Sequence, residues 1–172
     1  PVTYTSIYGG EDYDARLEQG GWNTSGFNDG AWKNAVLVPS PTGKLVEEYD
    51  YPLEIKETFS AKTIKKLADR AYLYDFGQNA SGIVELKVKG KKGQEVRMTP
   101  SELIKADGQP NQSATGSPSY FSYILKGDGI EIWRPRFTYT GFRYVKVEGA
   151  APESEKQISD AVVFDLKLLH NR

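Results

Sequence analysis

Hydrophobic and polar positions alternate with a period of two through most of this chain, in short runs bounded by Gly, Pro, Asn and Asp, and that pattern predicts strands. Over residues 83–89, Val84, Leu86 and Val88 share one face while Glu85, Lys87 and Lys89 share the other, as in a strand buried on one side. Tyr72, Tyr74 and Phe76 alternate in the same way with Ala71, Leu73 and Asp75, and Val162, Phe164, Leu166 and Leu168 with Val163, Asp165 and Lys167. The turn residues Gly90 and Gly93 predict that 94–98 folds back on 83–89 as an antiparallel hairpin. Further strands are expected over 2–8, 12–17, 53–59, 71–76, 120–125, 130–133, 142–147 and 161–168. Residues 61–67 alone carry a helical pattern, with Lys62, Lys65 and Lys66 turned to water. Many short strands joined by turns point to an all-β fold, an antiparallel β-sandwich or jelly roll.

Three segments break this rhythm. Residues 20–30 hold four glycines and too many turn formers for a long strand, 150–157 is a polar break, and 105–119 is long enough to be a mobile or functional loop. The 172 residues suffice for one ordinary sandwich with a real core, or one small domain with part of a neighbour. Charge is balanced, 22 basic against 23 acidic residues, so the sequence lacks the basic footprint that nucleic acid or an anionic membrane would select. No apolar run is long enough to span a bilayer. The absence of cysteine removes disulfides, thiolate metal sites and thiol nucleophiles together. The chain opens on Pro1 without an initiator Met and reads as an excised or processed piece.

Two motifs carry the most information. Tyr74-Asp75-Phe76-Gly77-Gln78-Asn79-Ala80-Ser81-Gly82 and Trp133-Arg134-Pro135-Arg136-Phe137, continuing through Gly141-Phe142-Arg143-Tyr144-Val145, each join a strand-like run to a glycine-punctuated turn. Together with Ile7-Tyr8-Gly9-Gly10-Glu11-Asp12, Gly21-Trp22 through Trp32, Ser101-Glu102-Leu103 and Tyr123-Ile124-Leu125-Lys126-Gly127, taken in this order, the chain resembles the bacterial α-L-rhamnosidases of glycoside hydrolase family 78. The resemblance implies a concanavalin-like or galactose-binding-like sandwich, with 1–38 as the tail of a preceding carbohydrate-binding-like module, 39–150 as the rhamnosidase-type sandwich and 151–172 leading toward a catalytic α-helical barrel. It also implies an inverting parent enzyme whose two catalytic glutamates lie in that barrel, at positions without a counterpart here. A periplasmic or extracellular parent is expected.

Each candidate site has a structural reading beside the functional one. Gln78 and Asn79 can bind a hydroxyl-rich ligand or tie down a turn. Trp22, Trp32, Tyr120 and Tyr123, with Phe27, can stack on sugar rings or pack in a core. Phe142 and Tyr144 on one face and Arg143, Val145 and Val147 on the other suit a strand buried on both sides, with Arg143 in an ion pair. Asp12, Asp14, Asn28 and Asp29, with Asn23, form an oxygen-rich set for calcium or an ordinary series of turn residues.

Glycoside hydrolysis needs two carboxyl groups about 5 to 9.5 Å apart, one with a raised pKa. Glu102, Asp107, Glu131 and Asp75 are plentiful acids with no spacing that fixes such a pair, and His170 is the single histidine. The expected function is therefore a non-catalytic region that supports a rhamnosidase barrel in cis and touches a rhamnose-containing glycan, with no catalytic residue and no cofactor other than calcium. An autonomous carbohydrate-binding module is the first alternative, and a small glycoside hydrolase the second.

Overall fold

The computed structural model describes residues 1–47, 54–115 and 118–152, and the backbone of 163–170. Among them the fold is all-β: β1 (Val2–Ser6), β2 (Gly10–Asp14), β3 (Glu57–Ser60), β4 (Thr63–Ala68), β5 (Ala71–Lys89), β6 (Glu95–Ser101), β7 (Leu103–Ile104), β8 (Pro110–Asn111), β9 (Tyr120–Ile124), β10 (Ile130–Trp133), β11 (Thr140–Glu148), β12 (Ala151–Pro152) and β13 (Val163–His170). Two short 3-10 turns, Ala15–Leu17 and Ser113–Thr115, complete the elements.

β5 organises the molecule. The two strands expected over 71–76 and 83–89 are one strand of 19 residues. Its first half pairs with β4 and β11, and its second half with β10 and β13. The sheet runs β1-β2-β9-β6-β11-β5-β13-β12, so β5 carries it from one layer into the other. Pairing is antiparallel except for two parallel contacts, β2 with β9 and β12 with β13. Through β2 and β9, residues from the start of the chain enter the main sheet.

The core lies between the layers. Phe76, Val84, Leu86 and Val88 from β5, Val96 and Met98 from β6, and Phe142, Val145 and Val147 from β11 are fully buried within one apolar cluster. Tyr13, Tyr123 and Trp133 close one end, with ring centroids 5.2–5.7 Å apart. Such burial removes apolar surface from water and supplies most of the stabilisation.

Three expectations need correction. Residues 61–67 are not helical, because Ile64 and Lys65 pair with Tyr74 and Leu73 along an otherwise open edge of β5. Lys62, Lys65 and Lys66 are exposed there, where charge discourages further strands from adding on. Residues 94–98 do not return on 83–89: β6 crosses to pair with β11 and β9, and the second half of β5 takes β10 and β13 instead. Finally, Phe142 packs into the same core as Val145 and Val147 rather than opposite them, because the β5–β11 register shifts between Phe142 and Tyr144.

The 105–119 loop is built locally. β7 and β8 pair as a small hairpin, and the Gln112 amide donates to the carbonyls of Pro100 and Ser119, each at 2.7 Å, while its oxygen accepts from Ser119 N–H at 3.1 Å.

Candidate functional site

The register shift in β11 is where the two sequence motifs meet. Phe142 stands opposite Ala80 and Tyr144 opposite Asp75, so Arg143 alone spans the four residues 76–79 of the partner strand. A bulge of this size bends the strand and re-aims its side chains. Gly77 sits in it at φ +83°, a conformation that L residues rarely adopt. Phe76 turns inward onto Phe142, edge to face at 5.9 Å.

Arg143 closes the bulge. Its Nε and Nη2 donate to Asp75 Oδ1 and Oδ2 at 2.8 and 2.9 Å, and Gly77 N–H donates to Asp75 Oδ1 at 2.7 Å. These bonds, the Arg143 contact foremost, hold the Asp75 carboxyl below its ordinary pKa. Asn79 Nδ2 donates to Glu102 Oε1 at 2.9 Å, while Gln78 is exposed. The bulge is thus a structural joint with Gln78 and Asn79 on its outer side.

A second polar node lies under the aromatic end of the core. Glu131 is 4 % exposed and accepts from Tyr123 Oη at 2.8 Å, Lys126 N–H at 3.0 Å and Gly127 N–H at 2.9 Å. Burial first, and then the bond to Glu131, push the Tyr123 phenol well above its ordinary pKa. Glu131 therefore fixes the loop that carries Lys126. Beside it, Tyr13 Oη donates to Glu18 Oε1 at 2.9 Å and Lys126 Nζ to Glu18 Oε2 at 2.8 Å. Burial raises the Glu18 pKa, but the bonds from Lys126 and Tyr13 outweigh it and the net shift is downward. Burial and the Glu18 bond push Tyr13 up to about 12.

Above this node runs an open groove of 1280 Å³ between the coil after β2 and the loop after β10. Trp22, Trp32 and Phe137 line it with 59, 49 and 61 % of their surface exposed. Trp32 is held in place: its Nε1 donates to Gln19 Oε1 at 2.6 Å and its ring lies 5.4 Å from that of Phe27. Successive turns, with Thr24 N–H on Gly21 O and Trp32 N–H on Asp29 O, explain why the glycine-rich 20–30 segment folds against itself without a strand. Elsewhere in the groove lining, Arg136 N–H donates to the fully buried Glu11 Oε2 at 3.2 Å, which pins the loop bearing Arg136 and Phe137.

The sequence-level candidates scatter over this framework. Trp22 and Trp32 come together in the groove with Asn23. Tyr123 is 2 % exposed within the aromatic stack, and half-buried Tyr120 lies under the Arg97 guanidinium, 4.2 Å from its ring centroid. Asp14 binds Arg16 through both carboxylate oxygens, Asn28 accepts from Gly30 N–H, Asp29 is exposed, and Asp12 Oδ1 is buried without a partner among the described residues. No three His, Cys, Asp or Glu side chains among the described residues converge on a metal position. The four carboxylates weighed for hydrolysis are each otherwise engaged: Asp75 with Arg143, Glu131 under the Lys126 loop, Glu102 with Asn79, and Asp107 on Gln109 N–H.

Sequence reasoning missed Glu18, Lys126, Arg136 and Phe137 as groove residues. Arg134-Pro135-Arg136-Phe137 was visible as part of a motif, and two arginines flanking a proline ahead of an exposed ring were the available signal. Nothing in the sequence joined it to the coil after β2 or to Glu11 of β2, which stands 125 positions before Arg136.

Comparison with known proteins gives this arrangement its family. The bacterial α-L-rhamnosidase concanavalin-like domain matches residues 65–164, and the α-L-rhamnosidase N-terminal domain matches residues 1–57. An α-L-rhamnosidase of Formosa agariphila is 34% identical over 170 residues, 95% of this chain and 18% of the relative. The structure of the α-L-rhamnosidase from Dictyoglumus thermophilum superposes with a TM-score of 0.86 and 38% identity over 100% of this chain and 19% of the other. That of Streptomyces avermitilis α-L-rhamnosidase, complexed with L-rhamnose, gives 0.79 and 32% identity over 99% of this chain and 16% of the other. The chain thus spans less than a fifth of each relative's length. It belongs to the bacterial α-L-rhamnosidase family, of which it represents a non-catalytic β-sandwich part.

Proposed function

We propose that this region supports the catalytic part of an α-L-rhamnosidase and contributes a carbohydrate-contacting surface to it. The parent would hydrolyse terminal α-L-rhamnose with inversion, a general acid protonating the leaving oxygen and a base activating water. Neither role falls to a residue of this chain. The observation that carries the reading is the Asp75–Arg143 joint: the most distinctive residues of both motifs are engaged in holding a bulge, with the Asp75 pKa lowered, whereas a catalytic acid needs it raised. Motif residues committed to shape belong to a scaffold.

The test uses the complete polypeptide. Replacing Arg143 by Ala is expected to lower Tm while leaving kcat on 4-nitrophenyl α-L-rhamnopyranoside unchanged at temperatures where the protein stays folded. A fall in kcat at unchanged Tm would contradict the scaffold role.

Glycan contact is the second part of the reading, supported by the exposed rings of Trp22, Trp32 and Phe137 around one groove. Indole and phenyl faces stack on the apolar face of a pyranose, and fixing Trp32 beforehand lowers the ordering cost of binding.

A further inference from the structure

We infer that the groove between Trp22 and Phe137 recognises an acidic glycan, one bearing uronate carboxylates, rather than a neutral one. This rests on the glycan-contact reading above and names the chemistry that reading leaves open.

The argument is one of charge left over after pairing. Four cationic side chains, Arg16, Lys92, Lys126 and Arg136, line the groove against two acidic ones, Glu18 and Asp128. Arg16 is bound by Asp14 and Lys126 by Glu18. Arg136 and Lys92 make no salt bridge among the described residues; Arg136 is exposed and acts on Glu18 only electrostatically, from beyond salt-bridge distance. Asp128, the other lining carboxylate, acts electrostatically on Lys126. The Glu18 carboxylate is already doubly hydrogen-bonded by Tyr13 and Lys126, which reduces its repulsion of an incoming anion.

The geometry suits a sugar acid more than a free anion. Arg136 sits next to Phe137 in sequence, and both reach the groove from a loop pinned by buried Glu11. Trp22 and Trp32, which line the same groove, stand on a coil where Gln19 and Phe27 hold Trp32. A pyranose ring stacked on the indoles would present a ring carboxylate to the guanidinium, whose planar fork matches carboxylate geometry. Inorganic anions would meet the cations but make no use of the rings.

The test is calorimetric titration of the chain with an oligosaccharide of alternating L-rhamnose and uronic acid, and with the same oligosaccharide after its carboxyls are reduced to primary alcohols. The acidic form is expected to bind about tenfold more tightly than the reduced one, the scale of one charge-assisted contact, and to weaken as salt is raised. Arg136→Gln should bring the acidic form to the level of the reduced form, and Trp22→Ala with Trp32→Ala should lower the affinity for both. Circular dichroism checks that these exposed substitutions leave the fold intact. Equal binding of both oligosaccharides overturns acid recognition while leaving glycan contact standing; binding of neither overturns both. Sedimentation that shows a dimer dissolved by the tryptophan substitutions overturns the proposal in favour of a second copy in the groove.

Discussion

Arg143 grips Asp75 with two parallel hydrogen bonds, at 2.8 and 2.9 Å, across 68 residues of sequence, and Asp75 in turn accepts the N–H of Gly77 at 2.7 Å. Two motifs that look independent in the sequence are therefore the two sides of one joint, set where β5 bulges against β11 and Phe76 drops onto Phe142. The pair is half-buried rather than enclosed, with side-chain exposures of 38 and 23 %. Its value lies in fixing geometry as much as in net energy.

Breaking the joint should cost measurable stability. Arg143→Ala is expected to destabilise the chain, read as a lower midpoint of urea unfolding, because both bonds to Asp75 are lost. A double-mutant cycle with Asp75→Asn should return a favourable coupling between the two side chains in urea unfolding. Strict additivity of the two substitutions would refute the interaction.

The same pair sets an acid limb. Asp75 is held below its ordinary pKa chiefly by the Arg143 bonds, and Asp14 chiefly by those from Arg16. A folded pKa below the unfolded one means that the contribution is complete above about pH 4 and disappears as pH falls through the folded value. Asp75→Asn should flatten the fall in Tm below that pH. Asp12 has the opposite sign, since burial above all raises its pKa and its ionised form opposes folding at neutral pH. Asp12→Asn should leave Tm at pH 7 unchanged or raise it, and a clear loss would count against that account.

Much of this fold is written in alternation. Val84, Leu86 and Val88 are buried as their spacing requires, and 130–133 is a strand end to end. What period two does not encode is a register change. Residues 76–79 read as a turn because Gly77 interrupts the pattern, yet β5 continues through them by bulging, so two expected strands became one. Pairing partners were equally hidden: the turn at Gly90–Gly93 favoured a hairpin locally, whereas β10 and β13, distant in sequence, take the second half of β5. At the groove, exposed Trp22 and Trp32 were legible as rings without strands, whereas Arg136 and Lys126 reach it through folds of the chain that no local pattern records.

The glycines separate strain from collision. A Cβ on Gly77 would meet the flexible Lys62 side chain, which can swing away, so Gly77→Ala should cost mainly the strain of φ +83°, about 1–2 kcal/mol. A Cβ on Gly10 would lie 1.8 Å from the Tyr120 carbonyl oxygen, part of the backbone of β9. Gly10→Ala should therefore cost more than Gly77→Ala and disturb the β2–β9 pairing, read as faster amide exchange over 120–124. The reverse order in thermal melts would contradict this assignment.

Glu131 is a buried acid that accepts three hydrogen bonds at the aromatic end of the core. Glu131→Ala strands the Tyr123 hydroxyl and two loop amides, for an expected loss of about 3 kcal/mol. It should also loosen the Lys126–Gly127 loop, seen as increased amide exchange there. A change under about 0.5 kcal/mol would mean that the node is dispensable.

The central claim is that this sandwich supports glycoside hydrolysis without performing it. The most direct measurement is turnover of 4-nitrophenyl α-L-rhamnopyranoside by the purified 172-residue chain, followed by release of nitrophenol. No rate above buffer is expected at any pH at which the chain is folded. Turnover that scales with chain concentration and disappears on replacing Glu102, Asp107 or Glu131 would place catalysis within the sandwich and contradict the account.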